Sequence, residues 1–185
     1  MIHPHRSLRS HANVSAFMNM KHELSVLTNW KFNLFLLNNY LFNFGSLIIF
    51  VFISDYASLK GMTGQQGTYL ISLMGITNAL GRLFNSLFSV CNCNRAYVYV
   101  LSCTLSGVSV CLINLPLDNS KFCFHLKAIF CAVYGVLFGV QLGNHAIVTQ
   151  MLSGLGSLNT AFGITMLLNG LGAITGPPVA GKILA

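Results

Sequence analysis

Five long apolar stretches alternate with short polar ones along the chain, at about 32–53, 67–88, 96–115, 126–148 and 160–184. A helix needs about 20 mostly apolar residues to cross the hydrocarbon core of a bilayer. In lipid only a helix or a closed barrel satisfies its own backbone. The pattern therefore predicts an all-α membrane protein with about five transmembrane helices. The intervening segments, 54–66, 89–95, 116–125 and 149–159, carry turn and breaker residues: Gly61, Gly64, Asn92, Asn94, Asp118, Asn119, Gly154 and Gly156. Pro116 closes the third stretch. Residues 1–31 are polar and basic, lack the apolar core of a signal peptide, and are expected to form a flexible cytosolic segment ahead of one helical unit, 32–185.

Within that pattern some positions break the rule. The first stretch holds four amides, Asn33, Asn38, Asn39 and Asn43. Packing against other helices explains them, and so does a water-filled path; the packing reading is preferred. Small residues recur every fourth position at Gly135, Gly139 and Gly143, and again at Gly172, Gly176 and Ala180. Such faces let helix backbones approach closely in lipid, where no hydrophobic force drives association. Pro177 and Pro178 remove two backbone donors and are expected to bend the fifth helix near its end.

Composition sharpens the class. Of 185 residues, 54% are hydrophobic and 7% charged, against about 25% charged in a typical globular domain. The formal net charge of +7 would suit nucleic acid. The basic residues form no dense stripe, however, and sit mostly at the ends of apolar runs, so the expected partner is the lipid bilayer and not nucleic acid. Arg6, Arg9, Lys21 and Lys31 precede the first stretch with one acid, Glu23, and Arg95 flanks the third. Lys60 and Lys121 lie in the other loops, each with an aspartate (Asp55, Asp118). By the positive-inside rule the N-terminus is expected to be cytosolic, and the chain is expected to be a multi-pass protein of the plasma membrane. The six cysteines fall in or beside apolar runs and act as small hydrophobes. The pair Cys91 and Cys93 has no second ligand pair, and the tail histidines His3, His5, His11 and His22 lack zinc spacing, so no metal and no cofactor is expected.

Arg82 is the residue with the most chemistry. It lies inside the second stretch, six residues from its end, about 9 Å deep at about 1.5 Å per residue. No acid lies within any of the five stretches to pair with it. Arginine at a helix centre costs about 2.5–3.5 kcal/mol on insertion scales. Two readings stay open: the side chain reaches back to the headgroups, or its rigid fork faces a polar path and binds a carboxylate in bidentate fashion. Asn78 lies four residues earlier on the same face. On the fourth stretch Asn144 and His145 are candidates for a polar or proton path. His145 is the titratable group best set within a span, with plain packing as the alternative. No nucleophile triad, phosphate loop or paired carboxylates occur, so an enzyme is not expected.

These residues fall into an ordered set: DYASLKGM (55–62), ISLMGITNALGRL (71–83), YVYVLS (97–102) and ITGPPVAG (174–181). The set resembles the C-terminal half of monocarboxylate-transporter-like members of the major facilitator superfamily, helices seven to eleven of twelve, over about residues 32–185. The resemblance implies a partial major facilitator bundle and transport of small monocarboxylates or related organic solutes by alternating access. It implies that Arg82 is the substrate-anion contact and that Gly75, Gly81, Gly176, Pro177, Pro178 and Gly181 are structural motif positions. The chain departs from the family at Asn78, where proton-coupled members carry an acid, and at Ser86 and Val90, where a Gly and an Asp form a gating loop.

Two functions follow as expectations. One is an incomplete half-carrier that needs its missing N-terminal bundle and, when complete, moves a small organic anion. The other is a degenerate or regulatory fragment that associates with a full-length carrier. The apolar end at Ala185 is expected to be a truncation before a twelfth helix.

Overall fold

The structure is a computed structural model and describes residues 25–59, 63–88, 94–113 and 121–184. Most of the 1–31 segment, Lys60, Cys91, Cys93 and Asp118 lie outside the described residues. Five α-helices account for nearly all of the rest: α1 Trp30–Leu59, α2 Gly64–Phe88, α3 Arg95–Ile113, α4 Lys121–Ser153 and α5 Leu158–Leu184.

The polar residues between the apolar runs set the helix ends. The side chain of Asn29 accepts the Lys31 N–H at 3.1 Å, and that of Asn94 accepts the Ala96 N–H at 3.1 Å; both satisfy a backbone donor that the first helical turn leaves orphaned. Gln66 reaches back to the Thr63 N–H at 2.9 Å, half of a capping box. Gly154 ends α4 with φ +76°, a conformation in which glycine carries no Cβ penalty. Its N–H bonds the Gln150 carbonyl at 2.9 Å. Pro177 and Pro178 do not interrupt the last helix, which runs through both of them.

Four helical stretches are long and apolar enough to cross a membrane: Trp30–Leu59, Arg95–Ile113, Phe124–Ser153 and Leu155–Ile183. All five expected stretches are helices, and among the described residues four of them pass this measure of length and apolar character. Helix α2 has the length, 25 residues, but Gln65, Gln66, Asn78, Arg82 and Asn85 dilute its apolar character.

Helix α4 is the centre of the bundle, packing along α2 on one side and α3 on another, while α1 pairs with α5 and also touches α2. The two closest pairings rest on the small-residue faces. A Cβ at Gly139 would strike the Asn78 carbonyl oxygen, and one at Gly81 would strike the Val136 carbonyl oxygen. A Cβ at Gly135 would meet the Met74 carbonyl oxygen at 2.7 Å, and one at Gly143 the Asn85 amide at 2.6 Å. On the other pair, a Cβ at Gly172 would meet the Tyr40 carbonyl oxygen at 2.5 Å, and one at Gly176 the Phe44 carbonyl oxygen at 2.5 Å. Gly75, by contrast, has nothing within 4 Å of a built Cβ, and Gly181 only the Phe52 ring at 3.9 Å. Of the motif glycines these two therefore make no close helix contact.

Two apolar clusters form at opposite ends of the bundle. One holds Phe32, Phe35, Leu36, Tyr99, Val148 and Ala161; the other holds Ile53, Leu70, Met74, Ile113, Cys131 and Tyr134. Between them along α1, α3 and α4 lies a layer of buried polar groups that includes Asn39, Ser102, Ser106, Gln141 and Asn144.

Candidate functional site

Arg82 flanks the α4-facing stripe of α2 and its side chain is exposed. The buried stripe of that helix is Leu70, Met74, Gly81 and Asn85, whereas Arg82, Leu83 and Phe84 are exposed. The Arg82 Nε donates to Asn78 Oδ1 at 3.1 Å, so the one-turn spacing read from the sequence is a real contact. That bond uses the inner nitrogen of the guanidinium and leaves the outer pair for another partner. The backbone beneath is held rigidly, because Gly139 packs against both the Asn78 carbonyl and the Arg82 amide nitrogen. The site is thus a fork, a neighbouring amide that orients it, and a helix turn pinned from behind by glycine.

Asn144 and His145 are neighbours in sequence but belong to two different networks, and neither bonds Arg82. Asn144 is fully buried and donates to Asn85 Oδ1 at 2.7 Å and to the Val140 carbonyl at 3.0 Å. Its own oxygen faces Arg95 Nη1 at 3.5 Å. Arg95, read from the sequence as a loop residue that sets orientation, is only 8% exposed and opens α3. A cation at the edge of an apolar run reads alike whether it points outward or into a neighbour, so the sequence carried no signal for this burial. Replacing Asn144 with Leu removes an acceptor from a buried guanidinium and a donor from Asn85. A buried group left unpaired costs about 1–3 kcal/mol, more when charged. We expect Asn144→Leu to destabilise the bundle by about 2–3 kcal/mol in detergent denaturation, and the double variant with Arg95→Met to lose less than the sum. Additive losses would mean that the contact carries no energy.

His145 is packed among aromatic rings, with centroids of Phe35 at 5.6 Å and Phe162 at 6.0 Å, and its Nε2 lies 3.4 Å from Asn169 Nδ2. Asn169 in turn accepts from Asn43 Nδ2 at 3.0 Å. The amides of the first helix divide accordingly: Asn39 and Asn43 bond across to other helices, as the packing reading requires, while Asn33 is exposed. Sequence reasoning missed Tyr99, Gln141 and Asn169. The signal was there for Gln141, a polar residue on the same α4 face as Asn144 and His145. At the far end of the bundle Lys127 is buried with its ammonium 5.0 Å over the Tyr56 ring, a cation–π contact.

The chain is similar in sequence to named proteins. Monocarboxylate transporter 12 of Homo sapiens is 27% identical over 144 residues, 76% of this chain and 27% of that protein. Monocarboxylate transporter 9 of Gallus gallus is 33% identical over 116 residues, 60% of this chain and 21% of that protein. These relatives are monocarboxylate transporters. Monocarboxylate transporter 12 of Rattus norvegicus matches at 28% over the same length, 29% of that protein. The chain therefore resembles monocarboxylate transporters along most of its length, but spans only about a quarter of the length of the curated relatives it matches. No family model matches the chain.

Proposed function

We propose that these five helices form part of the second bundle of a membrane carrier and contribute the anion contact of its transport site. The carrier moves small monocarboxylates or related organic solutes and is not an enzyme. What supports this most is the exposed Arg82 fork, oriented by Asn78 at 3.1 Å. A guanidinium so held donates two parallel charge-assisted bonds to a carboxylate. Alternating access takes place between two bundles, so the opposing wall of the path must come from helices outside this chain. The basic N-terminal segment favours a cytosolic N-terminus in the plasma membrane.

The 185-residue chain alone, reconstituted in vesicles, is expected to give no saturable carboxylate uptake, and the chain joined to a first bundle from a relative is expected to give it. In cells, an epitope placed before Met1 should be reached only after permeabilisation. Saturable, Arg82-dependent uptake by the chain alone would refute the half-carrier reading. Failure of the joined protein to bind any carboxylate would refute the anion site. Co-purification of the five-helix chain with a full-length carrier, without uptake of its own, would favour the associating, non-transporting fragment.

A further inference from the structure

Two hydrogen-bond relays in the buried polar layer begin on backbone carbonyls of α1 and end one turn apart on α4. In the first, Asn39 Nδ2 donates to the Phe35 carbonyl at 2.8 Å, which fixes the amide and leaves Oδ1 as an acceptor. Tyr99 O–H faces that Oδ1 at 3.3 Å and Asn38 Oδ1 at 3.4 Å; with its one proton given to either, Tyr99 must receive from Gln141 Nε2, at 3.4 Å. In the second, Asn43 Nδ2 donates to the Asn39 carbonyl at 3.0 Å and to Asn169 Oδ1 at 3.0 Å. Asn169 is thereby oriented with its Nδ2 toward His145 Nε2. That nitrogen must accept, so the proton of a neutral His145 sits on Nδ1.

Each relay stops at an unsatisfied atom. Gln141 Oε1 and His145 Nδ1 are both buried and without a partner, on side chains 3% and 4% exposed. One is an acceptor and the other, by the relay, a donor. They lie four residues apart on one helix face, where Cβ atoms are about 5–6 Å apart. A water bonded at about 2.8 Å to each joins polar atoms up to about 5.6 Å apart, and buried waters typically join two to four otherwise unpaired polar groups. Leaving both unpaired would cost about 1–3 kcal/mol per group.

We propose that a buried water bridges His145 Nδ1–H and Gln141 Oε1. It accepts from the imidazole, donates to the amide, and closes the two relays into one hydrogen-bonded ring through α1, α3, α4 and α5. In this ring His145 is a fixed neutral donor that ties the helices together. It is not the mobile proton carrier that its place in a span suggests, and the site is independent of the Arg82 anion contact. A metal cation does not suit the pair, because the imidazole presents a proton there.

The test is solid-state nuclear magnetic resonance of the full chain in bilayers with 15N-labelled histidine, the His145 signals being identified by their loss in His145→Asn. The expected result is a protonated Nδ1, an unprotonated Nε2, and a cross-peak from Nδ1–H to a water that exchanges slowly with bulk. In Gln141→Leu the water cross-peak should vanish. A proton on Nε2, or an Nδ1–H with no water cross-peak, would overturn the proposal, and both are read on the unaltered chain should the variants fail to fold.

Discussion

Arg82→Ala, introduced into a carrier that contains these five helices, is expected to weaken carboxylate binding by about a hundredfold or more while leaving the unfolding midpoint almost unchanged. Each hydrogen bond to a charged group is worth about 1.5–3 kcal/mol, and a bidentate pair makes two; at about 1.4 kcal/mol per decade, the lower end already exceeds a factor of 100. The fold should not register the change. Arg82 is exposed and bonds only Asn78 among the described residues, and surface substitutions usually stay within about 0.5 kcal/mol. Arg82→Lys keeps the charge but loses the planar fork, so an intermediate loss of about tenfold is expected. Asn78→Leu removes only the orienting bond and should cost less than Arg82→Ala. Isothermal titration with a small carboxylate, alongside thermal unfolding, separates these outcomes. Equal affinity in Arg82→Ala and the parent would mean that the guanidinium serves the headgroups.

How far the sequence could be read depended on whether a feature is local. Helix ends were legible because Asn94 and Gly154 act on their own first or last turn. The Asn78–Arg82 contact was legible because four-residue spacing on a helix fixes it. The packing faces on α4 and α5 were legible because repeated small residues have one physical use in lipid. Gly75 could not be told from Gly81, since only the position of α4 decides which of the two meets a neighbouring backbone. The polar ring was not legible for the same reason: Asn43, Tyr99, Gln141 and Asn169 come from four helices and become partners only once these assemble. The lower apolar character of α2 was visible in its amides, although the stretch 67–88 reads as apolar and long enough to span. A helix whose inner face is sheltered by α4 needs fewer apolar residues, and that shelter is a tertiary fact.

Gly139→Leu should collapse the α2–α4 pairing, and Gly139→Ala should already weaken it by about 1–3 kcal/mol, the usual cost of forcing extra atoms into a packed interface. The reason is that the added carbon meets backbone on both sides of a helix turn, the Asn78 carbonyl oxygen and, at 3.1 Å, the Arg82 nitrogen. Neither can rotate away as a side-chain tip would. The two helices must separate, and with them goes the reciprocal contact of Gly81 on Val136. Gly75→Ala, on α2, supplies the control. Its Cβ enters open space, and replacing a mid-helix glycine with alanine is worth up to about 1 kcal/mol in the helix's favour. Circular dichroism melting in mild detergent should therefore move in opposite directions for the two alanine variants. Parallel shifts would mean that the glycines act through helix propensity and not through close approach. Because the turn pinned by Gly139 is the turn that carries Asn78 and Arg82, Gly139→Ala should also lower carboxylate affinity in the completed carrier, whereas Gly75→Ala should leave it intact. A variant that melts early yet binds normally would separate the packing face from the anion site.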